Sequence, residues 1–155
     1  DYSELDIENG VYPEYLISRV SEDGKLRIAG QIDLLVKKGN KITICDWKTN
    51  KKIETKSFFN SKTKSSVKMK YPLNNIEDTN YWHYTLQLST YAWMLQKLNP
   101  EFEIEDLVMV HFDHDDNMTV YHLPYLKDEV VKMLAYYKKE ASLKSSKEKR
   151  KPIEY

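Results

Sequence analysis

The chain has 155 residues, 41% of them apolar, with 24 Lys and Arg balanced by 24 Asp and Glu, which is enough for one domain with a real core. The single cysteine, Cys45, excludes a disulfide framework, a four-cysteine zinc site and a cysteine-ligated iron–sulfur cluster in this sequence, and it suits a reducing, cytoplasmic setting. No apolar run approaches the roughly 18 residues needed to span a membrane, and no charged-then-apolar leader opens the sequence.

In chain order, residues 11–20 read as a strand, Ser21 to Gly24 as a turn, and residues 25–37 as a second strand with Ile28, Ile32 and Leu34 apolar. Gly39-Asn40 is a two-residue hairpin signal. It is followed by a β-branched third strand over 41–48. Residues 49–77 show no clean period and read as a long loop, of the length that is usually functional or disordered. Tyr84, Leu88, Tyr91, Leu95 and Leu98 form one continuous stripe of a helix over 79–98, capped by Asp78 or Thr79 and stopped by Asn99-Pro100. Two more strands follow at 104–113 and 117–123, joined at Asp115-Asp116-Asn117. A second helix spans 126–140, with its acids in the first turn and its lysines in the last. Residues 1–141 are thus expected to form one domain and 142–155 a basic tail. The order βββ–loop–α–ββ–α predicts an α/β fold, a mixed central sheet flanked by helices.

The neutral total hides two basic stretches. Lys48, Lys51, Lys52, Lys56, Lys62, Lys64, Lys68 and Lys70 face only Glu54 in the first, and residues 138–151 are similarly rich. Such segments suit a polyanionic partner, although on charge alone solvated loops and tails account for them better.

The hairpin register carries the chemistry. With Gly39 and Asn40 as the loop, Lys38 faces Lys41 and Asp33 falls directly opposite Asp46, on one face and with Cβ atoms about 4.5–5.5 Å apart. Two like charges so placed repel unless a cation lies between them. Oxygen ligands suit Mg²⁺, Mn²⁺ or Ca²⁺. Lys48 shares the face of Asp46 while Trp47 points away. Two carboxylates, a hard cation and a lysine are the usual equipment for hydrolysing a phosphodiester. A one-residue slip of register would undo this reading.

Gly30-Gln31-Ile32-Asp33, then Asp46-Trp47-Lys48, then Gln87-Leu88-Ser89-Thr90-Tyr91 form the series GxxD…DxK…QxxxY. The series resembles the RecB-like branch of the PD-(D/E)XK nuclease superfamily, over roughly residues 11–123. The resemblance implies a restriction-endonuclease-like core and a Mg²⁺- or Mn²⁺-dependent deoxyribonuclease, an exonuclease or end-processing enzyme of DNA recombination, repair or replication. It implies that Asp33, Asp46 and the Trp47 carbonyl bind metal, and that Lys48 positions or activates the attacking water. Gln87 and Tyr91 would support the site or grip the DNA backbone, though Tyr91 also fits simple core packing. The expected substrate is DNA, single-stranded or at ends, handled without base-specific recognition. Lys51, Lys52, Lys56, Lys62 and Lys64 would meet its phosphates, with Phe58, Phe59 and Tyr71 available to stack on unpaired bases. Gly30 is expected to allow close approach of backbone, and Glu14 is a weaker acidic candidate on the first strand. The family's core usually opens with a helix that is not evident here, so a larger polypeptide or complex is expected to complete it. The alternative is a nuclease fold kept only for binding nucleic acid or protein. His111, Asp113, His114, Asp115 and Asp116 look like a ligand cluster but read better as turn chemistry, and His83 reads as exposed or structural.

Overall fold

The computed structural model describes residues 8–148. The expectation of a missing helix ahead of the first strand, and the end of the basic tail, fall outside that range. The strands β1 (Gly10–Val20), β2 (Arg27–Lys38), β3 (Lys41–Lys48), β6 (Glu103–Phe112) and β7 (Met118–His122) form one sheet in the order β1-β2-β3-β6-β7. All neighbours are antiparallel except β3 and β6, which run parallel. The parallel pair requires a crossover, and α1 (Asn80–Leu98) supplies it. The sheet is therefore mixed and flanked by two helices, as the pattern predicts: α1 packs on the sheet and α2 (Lys127–Glu148) packs against α1. The second helix runs eight residues past its expected end at 140.

The hairpin forms in the expected register, with Lys38 opposite Lys41 and Leu34 opposite Cys45, and Gly39 takes the left-handed φ of +58° that the turn needs. The core joins Ile17, Ile32, Leu35, Ile42 and Ile44 of the sheet to Leu88, Met94 and Leu95 of α1. Two sequence expectations change here. The buried residue of β2 beyond Ile32 is Leu35, not Leu34, so the inward positions step by three rather than two. The matching step on β1 runs from Tyr12 to Tyr15, both packed on the same core. Between them Glu14 adopts φ +51°, a left-handed conformation costing a non-glycine residue about 1–2 kcal/mol. Both strands thus change pitch together, and the pairing of β2 with β3 ends at Leu34–Cys45.

The second change concerns residues 49–77, which are not a featureless loop. They contain a small hairpin, β4 (Phe59–Asn60) with β5 (Ser65–Ser66), and a bridge between Lys68 and Glu77. Met69, Leu73 and Ile76 bury themselves with Leu86 in a second apolar cluster, beside Trp82, Leu126 and Met133. The sheet face away from α1 exposes Trp47, Met118 and Val120. No helix among the described residues is long and apolar enough to cross a membrane.

Candidate active site

The point where β2 parts from β3 is occupied by Asp33. Its Oδ2 accepts a hydrogen bond from the Trp47 backbone N–H at 2.9 Å, so a side chain replaces the next rung of the ladder. Asp46 is one residue away on β3 and only 5% exposed. A carboxylate this deep must be compensated. Lys48 Nζ lies 2.7 Å from Asp46 Oδ2. Lys48 is thus the counter-charge of Oδ2, and no other side chain or backbone group among the described residues donates to that oxygen. Burial pushes the Asp46 carboxyl above its usual range, Lys48 opposes the shift, and the neighbouring Asp33 adds to it.

Lys48 is held from three sides. Besides Asp46, its ammonium donates to Gln87 Oε1 at 3.4 Å and lies 4.4 Å from the centre of the Tyr84 ring. Gln87 in turn donates from Nε2 to the Tyr91 hydroxyl at 3.1 Å. Gln87 and Tyr91 stand one turn apart on α1, so the helix presents both to the end of β3. The Tyr91 ring is buried against Gly30, where a Cβ would fall 2.4 Å from its Cε1. Only glycine leaves room there, which is the close approach expected of that position.

Asp33, Asp46, Lys48, Gln87 and Tyr91 are therefore brought together around one end of β3. The expected lysines are not part of this cluster. Lys51, Lys52, Lys56, Lys62 and Lys64 are all exposed along the 49–77 segment, and Lys52 pairs with Glu54 at 3.5 Å. Glu14 is exposed on β1.

Three residues beside the cluster escaped the sequence reading in this role. Tyr84 faces Lys48, and its hydroxyl accepts from Asn50 Nδ2 at 2.6 Å. His111, paired with Lys48 across the parallel ladder, is buried and donates from Nε2 to the Asn50 carbonyl at 2.6 Å. Together they fix the chain as it leaves Lys48, and Asn80 fixes the next stretch by bonding Lys52 and Glu54. The signal for His111 lay in the β3–β6 pairing, which sequence periodicity does not contain, and Tyr84 and Asn80 reach the site from α1. Asp113 closes the β6–β7 turn instead of facing a ligand, accepting from the backbone N–H groups of Asp115 and Asn117. His83 bonds Asp78 at 2.7 Å.

Among the described residues, no group of three or more His, Cys, Asp or Glu side chains converges on one point. A cation here would have two carboxylates, the Trp47 carbonyl and water. All are hard oxygen donors, and Mg²⁺ characteristically keeps several waters. Apart from the Lys48 ammonium, Asp46 Oδ2 has no partner among the described residues, which leaves it lone-pair capacity, so the donor set fits such an ion.

A family model described as the PD-(D/E)XK nuclease superfamily matches residues 2–151. The chain belongs to this superfamily. The superfamily's members generally use divalent metals, and its restriction-endonuclease-like fold agrees with the sheet and helices seen here. No curated protein matches the sequence. Among solved structures, the chain is similar to SSO0001, at 20% identity over 84% of this chain and 50% of that one, with a TM-score of 0.47. It is similar also to a candidate exonuclease from Eubacterium rectale, at 10% identity over 84% and 43%, again with a TM-score of 0.47. The chain spans half the length of these proteins or less.

Proposed function

We propose that this superfamily member is a Mg²⁺- or Mn²⁺-dependent deoxyribonuclease of the RecB-like branch. It acts as an exonuclease or end-processing enzyme on single-stranded DNA or DNA ends, in recombination, repair or replication. The observation that carries the reading is the buried Asp46 carboxylate, 5% exposed, which lies beside Asp33 and whose counter-charge is Lys48. Maintaining that charge on the central strand of the sheet costs stability, which a purely structural role does not repay.

When bound, a divalent ion would supply the positive charge that polarises the phosphoryl group and makes water a stronger nucleophile. Asp33, Asp46 and the Trp47 carbonyl would hold it. Lys48 is held by Gln87 and the Tyr84 ring as well as by Asp46, which keeps its ammonium within reach of a water beside the two carboxylates. It orients that water or accepts its proton. Gln87, fixed by Tyr91, keeps the lysine from relaxing away. The exposed lysines after Lys48 meet phosphates without regard to sequence, which suits cleavage without base-specific recognition.

Incubating end-labelled single- and double-stranded DNA, and matching RNA, with Mg²⁺, Mn²⁺ or EDTA tests the proposal. Metal-dependent cutting of DNA supports it, and the product ladder separates release from an end from internal cleavage. Intact DNA in every metal, with binding retained, would favour a fold kept for binding alone.

A further inference from the structure

The far side of Gln87 opens into a cleft of about 530 Å³ between α1, α2 and the segment 69–73. Its floor is apolar, from Leu86 and Met133, and its walls include His83, Tyr71 and Tyr137. The volume lies within the ordinary range of small-ligand pockets. A second cleft of about 700 Å³ continues beyond it, with Tyr71 and Pro72 lining both. Lys132 and Lys139 line this second cleft. Tyr71 therefore forms the ridge between the two, and it is 71% exposed. Its ring begins a run of aromatics: Tyr136 lies 5.4 Å away edge-on, and Tyr137 lies 6.0 Å beyond Tyr136.

An exposed tyrosine held on a ridge above an apolar floor, with only its edge contact to Tyr136, leaves most of its ring open to solvent. Such a ring presents a face on which a base can stack, while neighbouring lysines hold phosphates. The charge order along the path fits one occupant. Lys48 and Gln87 stand at the start, Lys70 beside the first cleft, and Lys132 and Lys139 in the second. The acids on the way are Asp78, already bonded to His83, and Glu140. A duplex has no unpaired base to place in either cleft.

Resting on the nuclease reading above, we infer that the two clefts form a track for unpaired DNA leading away from the catalytic cluster. One base stacks on Tyr71, and the following phosphates meet Lys132 and Lys139. This adds strand contacts on the α2 side of the molecule to those of the 51–64 lysines.

The test is fluorescence anisotropy of a labelled oligothymidylate, with the full chain in EDTA so that no cleavage occurs. Tyr71→Ala is expected to weaken binding at least about fivefold, the lower bound for loss of one base–aromatic stack, while Tyr71→Phe retains it. Lys139→Gln is expected to flatten the slope of log affinity against log salt by about 0.7, the value for one phosphate contact on a single strand. Lys41→Gln, at the other end of β3 and paired with Glu105 at 3.6 Å, is expected to leave the slope unchanged. Unaltered binding by Tyr71→Ala, or an equal loss for duplex DNA, would overturn the inference. Failure of the nuclease reading shows separately, as absence of cutting with Mg²⁺ or Mn²⁺ while this binding pattern persists.

Discussion

Replacing Gly30 by alanine inserts one methyl group into the contact between β2 and the Tyr91 ring. The new carbon would stand 2.4 Å from Cε1, 2.8 Å from the hydroxyl oxygen and 2.9 Å from Cζ. Normal van der Waals separation requires the ring to retreat by about an ångström or more. The ring is buried between the sheet and α1, so the retreat is resisted. Overpacking of this kind costs about 1–3 kcal/mol, a fall in Tm of roughly 2–12 °C for a chain of this size. The Gln87–Tyr91 bond at 3.1 Å would be disturbed with it. The assay is urea unfolding of Gly30→Ala in the parent and in a Tyr91→Leu background, since leucine lacks the colliding atoms. In that background the alanine should cost nothing, or gain about 0.4–1 kcal/mol, because Gly30 does not use a positive φ. An equal cost in both backgrounds would refute the steric account and place the sensitivity of Gly30 elsewhere.

Other outcomes follow from the same geometry. Lys48→Ala leaves the buried Asp46 carboxylate without its counter-charge, a loss of about 3–5 kcal/mol for a broken buried pair. Lys48 is also what opposes the burial-raised pKa of Asp46, so without it the carboxyl titrates higher still. The penalty is therefore present at neutral and alkaline pH and fades as acid protonates Asp46, which melting curves across pH would reveal. Mn²⁺ at a hundred times its Kd should stabilise the parent by about 2.7 kcal/mol, and Asp46→Asn should abolish that gain in a thermal-shift titration. Asp113 has its carboxyl held below the usual range first by the Asn117 side chain and then by backbone N–H groups. Its contribution is present above the normal carboxylate range and lost as pH falls through the lowered value. Asp113→Ala should thus lower Tm at neutral pH while leaving metal-dependent cleavage unchanged.

Much of the site was legible because it is local. The Gly39-Asn40 turn set the hairpin register as far as Leu34–Cys45 and gave Lys48 the face of Asp46. The expected Asp33–Asp46 rung does not form: Asp33 comes beside Asp46 by bonding the Trp47 N–H. Gln87 and Tyr91 were legible through helical spacing. The pitch change at Glu14 and Asp33 was not, because Ile32, Leu34 and Leu35 are all apolar and only the packed sheet decides which two point inward. The order in residues 49–77 was hidden for a related reason. Met69, Leu73 and Ile76 repeat at no strand period, and they make sense only against Leu86 and Trp82 on a helix further along the chain. The approach of His111 to the Lys48 end of β3 is likewise a product of the parallel crossover, which links residues far apart in sequence.

The catalytic role of the Asp33–Asp46–Lys48 fork is tested most directly by the rate of single-stranded DNA cleavage by Lys48→Ala against the parent at saturating Mn²⁺. A fall on the order of 10²–10⁴, the usual worth of a positioned acid–base group, with Mn²⁺ binding retained, is the predicted result. An undiminished rate would contradict the account, because the chemistry would then lie away from this fork.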